Sequence, residues 1–236
     1  KAISFLFEGT IIHETDLLGL PMTTTALPSE NKAKSHIAAK IAAVEIYENI
    51  CAMLQEDKTP HVASFFAVCG SLAGQACLQA ALQTCNDSNS NSTLITVSDV
   101  AGRHYYYGDP IDHLLLEDRL SVRALLDFSL QKFADATMPD IGGILYHVTQ
   151  TIGAPQFGAP RLPLGHEIHI TPLESLQLWQ PLKAGILDRL HVPTQEWHLA
   201  YGLAIQKMLV QEFLSPSIAA HIVMECAVPM SKVKTL

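Results

Sequence analysis

Apolar positions recur along most of the chain with a helical period, and one stretch has almost nothing else. From Thr59 to Asn86 no residue is charged. Thr59 and Pro60 read as the N-cap and first position of a helix running to about Cys85. Its length and apolarity suit a membrane span. Gln75, Gln79 and Gln83, however, lay a polar stripe along its second half, which favours a helix buried in a soluble protein. Gly70 and Gly74 share a face of that helix and would let a neighbouring helix come close. A competing reading makes Cys69-Gly70-Ser71 a tight turn that presents a nucleophile. The order is Gly-Ser-x-x-Gly rather than Gly-x-Ser-x-Gly, so the continuous helix is preferred.

Other helices are expected from Ser29 to about Gln55, on Ile37, Ile41, Val44, Ile46 and Ile50, and from Glu117 to Ala136, on Val122, Leu125, Leu126 and Phe133. A further helix is expected from Pro139 to about Ile152. Thr171 and Glu174 form a Thr-x-x-Glu capping box for the next, which Pro181 should kink or divide. The last two run from about Thr194 to Leu214 and from Ser215-Pro216 to about Val228.

Strands are few: residues 2–8, a hairpin from "TLITVSD" to "RHYYYG", and "GHEIHI" at 165–170. Between the first strand and the first helix lies a long irregular connection. The class is therefore helix-rich α+β: one domain over 1–236 with a long buried central helix and a small antiparallel sheet. The polar loop at 86–92 is the one point where it could divide.

Composition narrows the setting. The chain is 48% hydrophobic but 16% charged, so much of it must be hidden in a core or a subunit interface, and a homo-oligomer is expected. A net charge of −8, with no cluster of Lys and Arg, argues against nucleic-acid binding. The five cysteines read as small buried residues in a reducing cytoplasm. At the start, a six-residue apolar run before Glu8 is too short for the apolar region of a signal peptide.

Three places carry candidate chemistry. In a strand over 165–170, Glu167 and His169 would share one face and His166 the other, a half-site for a divalent metal. Asp109, Asp112 and His113 crowd a Pro-containing loop after Tyr105, Tyr106 and Tyr107, where carboxylates beside an imidazole could ligate a metal or act as a base. Cys69 lacks a nearby base in sequence and reads as a buried thiol. The segment "GAPQFGAPRLP" reads as a stiff exposed crossing, with Phe157 and Arg161 at its crest.

The first functional expectation is a non-catalytic small-molecule-binding or regulatory protein, its ligand held by Tyr105, Tyr107, Asp109, Phe157 and Arg161. A second is a metal-assisted hydrolase using Asp109, Asp112, His113, Glu167 and His169, which requires the two segments to meet. A third is an assembly protein with a large apolar interface.

Overall fold

A helix that is apolar on both faces opens the described part of the chain. The computed structural model describes residues 36–56, 59–86 and 93–234. The strand expected at 2–8, the connection after it and the helix start at Ser29 lie outside those residues. Helix α1 (Ile37–Met53) buries Ala39, Ala42, Ala43, Ile46 and Ile50, and leaves Ile37, Ile41 and Val44 exposed. Three of the five apolar positions expected to face the core therefore point outward. Small alanines, which periodicity does not distinguish from solvent-facing ones, form much of the buried face.

Two-residue strands β1 (Gln55–Glu56) and β2 (Thr59–Pro60) pair antiparallel and lead into α2 (Val62–Asn86). Thr59 and Pro60 thus belong to a strand. His61 caps the helix instead, its Nδ1 accepting the Ser64 N–H at 3.3 Å. The single long helix is borne out: Ser71 Oγ donates to the Ala67 carbonyl at 2.7 Å, as mid-helix serines do. By length and composition α2 could cross a membrane, yet 89% of its most apolar window is buried inside the protein.

The hairpin follows as β3 (Ile95–Ser98) and β4 (His104–Tyr107), in the register Ile95↔Tyr107 to Ser98↔His104. Asp99 Oδ1 closes its turn by accepting the N–H groups of Ala101 and Arg103. Near the C-terminus, Val233 adds a bridge to Tyr105, and Tyr106 N–H donates to the Lys232 carbonyl at 2.8 Å.

After the hairpin come a short α3 (Asp109–Asp112), a π-helical turn (His113–Glu117) and α4 (Val122–Leu130), capped by Ser121. The continuous helix expected over 117–136 is shorter because Ser121 restarts it. Helix α5 (Ile141–Thr151) is capped by Asp140. The Thr171–Glu174 box opens α6 (Pro172–Ser175), and Pro181 lies in α7 (Trp179–Leu182), between a 3₁₀ turn and a second π turn (Lys183–Asp188). The chain ends in α8 (Trp197–Leu209) and α9 (Pro216–Met230).

Helices α2, α8 and α9 form the centre. Gln195, just before α8, donates to Thr84 Oγ1 and the Ala80 carbonyl, so the start of α8 lies beside the end of α2. Helix α9 lies on the glycine face of α2. A Cβ on Gly70 would stand 2.6 Å from the Val223 carbonyl oxygen, and one on Gly74 only 2.1 Å from that of Ala227. The close approach expected from Gly70 and Gly74 is therefore present, with both helices running the same way at the crossing. Elements on both sides of residues 87–92 contribute to one hydrophobic core.

Candidate functional site

The C-terminal end of α2 forms one wall of an open cavity of about 330 Å³, lined by Thr84, Asp109, Pro110, His113, Leu114, Glu117 and Gln195. Asp109, His113 and Glu117 are spaced four apart. The α turn advances each fourth residue around the axis and the wider π turn lets it fall back, so the three stay on one side. Opposite them the Thr84 hydroxyl donates to the Ala80 carbonyl at 3.0 Å and accepts from Gln195 Nε2 at 2.8 Å. That hydroxyl's proton is committed to the backbone of its own helix. His113 Nε2 lies 3.5 Å from Asp118 Oδ2. Among the described lining residues none is lysine or arginine, so the wall is acidic.

Gln195 also lines a neighbouring cavity of about 550 Å³, with Gln83, Asp188, His191, Val192, Pro193, Thr194 and Trp197. The two π turns flank this pair of cavities, one contributing His113 and Glu117 and the other Asp188.

Of the residues read from sequence as ligand contacts, Asp109 alone lines these cavities. Tyr105 is fully buried and packs edge-on against Phe157 at 4.9 Å between ring centres. The hairpin and the Gly-Ala-Pro segment do meet, but as closed core. Phe157 is a buried anchor, not a crest residue. Tyr107 lies under the Lys232 ammonium, 5.2 Å from its ring centre, and burial pushes its hydroxyl up to about 12. Arg161 ties the crossing segment to α9: its Nε and Nη2 donate to Glu225 Oε1 at 3.0 and 2.7 Å, and its N–H donates to Oε2 at 3.1 Å. These bonds anchor the crossing segment to α9.

The proposed metal set is not gathered. Asp112 turns from the cavity to the buried Lys232 Nζ at 3.0 Å. Residues 165–170 run irregularly rather than as a strand, although Glu167 and His169 do share the exposed side while Ile168 and Ile170 pack inward. The His169 N–H donates to Ser64 Oγ at 2.8 Å, and its ring stacks on His61 at 3.8 Å. Ser64 and Thr84 are twenty residues apart on one straight helix, about 30 Å at its rise per residue. Asp109 and His113 lie at the Thr84 end and His169 at the Ser64 end, so no single ion bridges them. Among the described residues, no three His, Cys, Asp or Glu side chains are grouped to hold a metal. Cys69 is fully buried, and burial raises its thiol well above the usual range, as expected for an inert core cysteine.

The sequence reading missed Glu117, Thr84, Gln195 and a buried imidazole. His198, in the first turn of α8, is 4% exposed, and its Nδ1 is buried without a hydrogen-bond partner. Burial lowers its pKa to about 4, against the opposing pull of a hydrogen bond to the Leu120 backbone. The ring is therefore neutral when folded, whereas the unfolded chain binds a proton below about pH 6.5. Its stabilising contribution is complete above that pH and falls as pH drops towards 4. About 1.6 kcal/mol should be lost between pH 6.5 and 5, the slope approaching 1.36 kcal/mol per unit only below pH 6.5. Urea denaturation at both pH values should show this loss in the native protein and a much smaller one in His198→Gln.

In comparisons with protein-family models, curated proteins and solved structures, nothing matches the chain.

Proposed function

We propose that the protein binds a small organic cation, such as a diamine, in the cavity between α2, α3 and Gln195. The observation that carries this reading is the alignment of Asp109, His113 and Glu117 along an open wall that faces hydroxyl and amide groups. Two carboxylates with no lysine or arginine among the described lining residues favour a positive ligand. A binding role is favoured over chemistry because Thr84 is already doubly hydrogen-bonded and the metal set is dispersed. The test is calorimetric titration with 1,4-diaminobutane, using 1,4-butanediol as the uncharged control. Saturable binding of the diamine alone, weakened about tenfold or about 1.4 kcal/mol in Glu117→Gln, is the expected result. Equal binding of the diol, or no binding of the diamine, would remove the reading.

A second reading, self-association, is favoured by the exposed stripe Ile37, Ile41 and Val44 on α1. Light scattering on the native chain should then give a multiple of 25.8 kDa, and Ile41→Glu should return it to the monomer mass. A native monomer would dismiss this reading without touching the first. With its five cysteines all free, the chain suits a reducing cytoplasm, and fractionation of the producing cell tests that placement.

A further inference from the structure

We propose that His198 is a proton-operated latch on the cavity: a proton taken up at its Nδ1 releases residues 113–121 from the first turn of α8 and opens the wall that carries His113 and Glu117. The geometry begins at the ring. It is hydrogen-bonded to the Leu120 backbone, in the turn between the π helix and α4, while Nδ1 stands buried and bare. A bare lone pair is tolerated in such a place. An N–H there would have no acceptor, and the cation would be buried with it.

The titratable groups facing His198 are Asp118 and His113, from the π turn and its end, and His36, from the N-cap of α1. Asp118 is no waiting acceptor. Its Oδ1 accepts the Leu120 N–H at 2.7 Å, and its Oδ2 lies 3.5 Å from His113. His36 Nδ1 is 3.1 Å from Glu196 Oε1. Asp118 is thus already engaged, so a proton at Nδ1 adds a buried positive charge with no partner in place.

Relief comes from the side that can move. Helix α8 spans thirteen residues and is buried along most of its length. Residues 118–121 are a single turn, held by the Ser121 N–H on the Asp118 carbonyl. The turn yields, and with it the π helix bearing two of the cavity's side chains. As control of ligand access the latch rests on the diamine-binding reading. The opening itself is measured without ligand, so its failure is distinct from a failure of binding.

The test is hydrogen exchange of the full chain near pH 7 and at about pH 5, corrected for intrinsic rates, in the native protein and in His198→Gln. Glutamine keeps a donor for the Leu120 carbonyl and does not titrate. Protection over 113–121 is expected to fall about tenfold in acid in the native protein, with α2 and α9 remaining the more strongly protected throughout, and to stay level in His198→Gln. Should that variant not fold, the native protein decides: protection over 113–121 must fall progressively from about pH 6.5 and level off only where the ¹⁵N signals show the ring of the folded protein becoming protonated. Acid opening that persists in His198→Gln, titration of the ring without opening, or unchanged protection would each overturn the proposal.

Discussion

Gly74→Leu is expected to destabilise the protein by about 4 kcal/mol or more, and Gly74→Ala by about 3, beyond the usual cost of overpacking because backbone must move. The atoms in the way are the carbonyl oxygen, carbonyl carbon and Cα of Ala227, at 2.1, 2.9 and 3.0 Å from the new Cβ. None can rotate aside as a side-chain tip would. Helix α9 would have to withdraw along a face where Ala219, Ala220, Val223, Ala227 and Met230 are all buried. Alanine's better helix propensity, about 1 kcal/mol over glycine, works against this loss without cancelling it. Gly185→Ala is the control, since nothing stands within 4 Å of a Cβ there. Urea midpoints followed by circular dichroism should separate the two. Equal stability of Gly74→Ala and Gly185→Ala would mean that α2 and α9 do not cross at this distance.

Arg161→Ala is expected to cost about 2 kcal/mol, below the range for a fully buried ion pair because the guanidinium is half exposed while the Glu225 carboxylate is buried. Glu225 is 2% exposed and takes three hydrogen bonds from Arg161, one of them from its main chain. Truncation leaves a buried carboxylate that keeps only the main-chain N–H of residue 161, with His221 Nε2 4.0 Å away and occupied with the residue 161 carbonyl. The penalty comes from the stranded charge rather than from a lost attraction. Arg161→Ala combined with Glu225→Leu should therefore be more stable than Arg161→Ala alone, by about 2 kcal/mol in a double-mutant cycle. Additive losses would show that the arginine stem, and not its charge, holds the crossing segment.

Much of the helical plan could be read from pattern because local rules acted alone. The uncharged run with two glycines four apart specified α2 and its close neighbour, and the Thr171–Glu174 box set the start of α6. Pattern misled where two answers satisfy the same period. Helix α1 has an isoleucine-valine stripe and an alanine stripe, and tertiary packing chose the alanines. The segment at 165–170 has strand-like alternation but no partner strand among the described residues. The site was legible only in part. Asp109 and His113 were visible as neighbours, but Glu117 joins them through a π turn that simple helical spacing does not announce. Thr84 and Gln195 arrive from positions far away in sequence. His198 carries no local signal at all, since its burial in the first turn of α8 comes from tertiary packing.

Binding of an organic cation in the acidic cavity at the end of α2 is tested most directly by mapping amide shifts while 1,4-diaminobutane is added to the ¹⁵N-labelled protein. Saturable shifts are expected at Thr84, Asp109, His113, Glu117 and Gln195, absent with 1,4-butanediol and strongly reduced in Glu117→Gln. Shifts centred elsewhere, for instance around Arg161 and Phe157, or shifts that the diol reproduces, would contradict it.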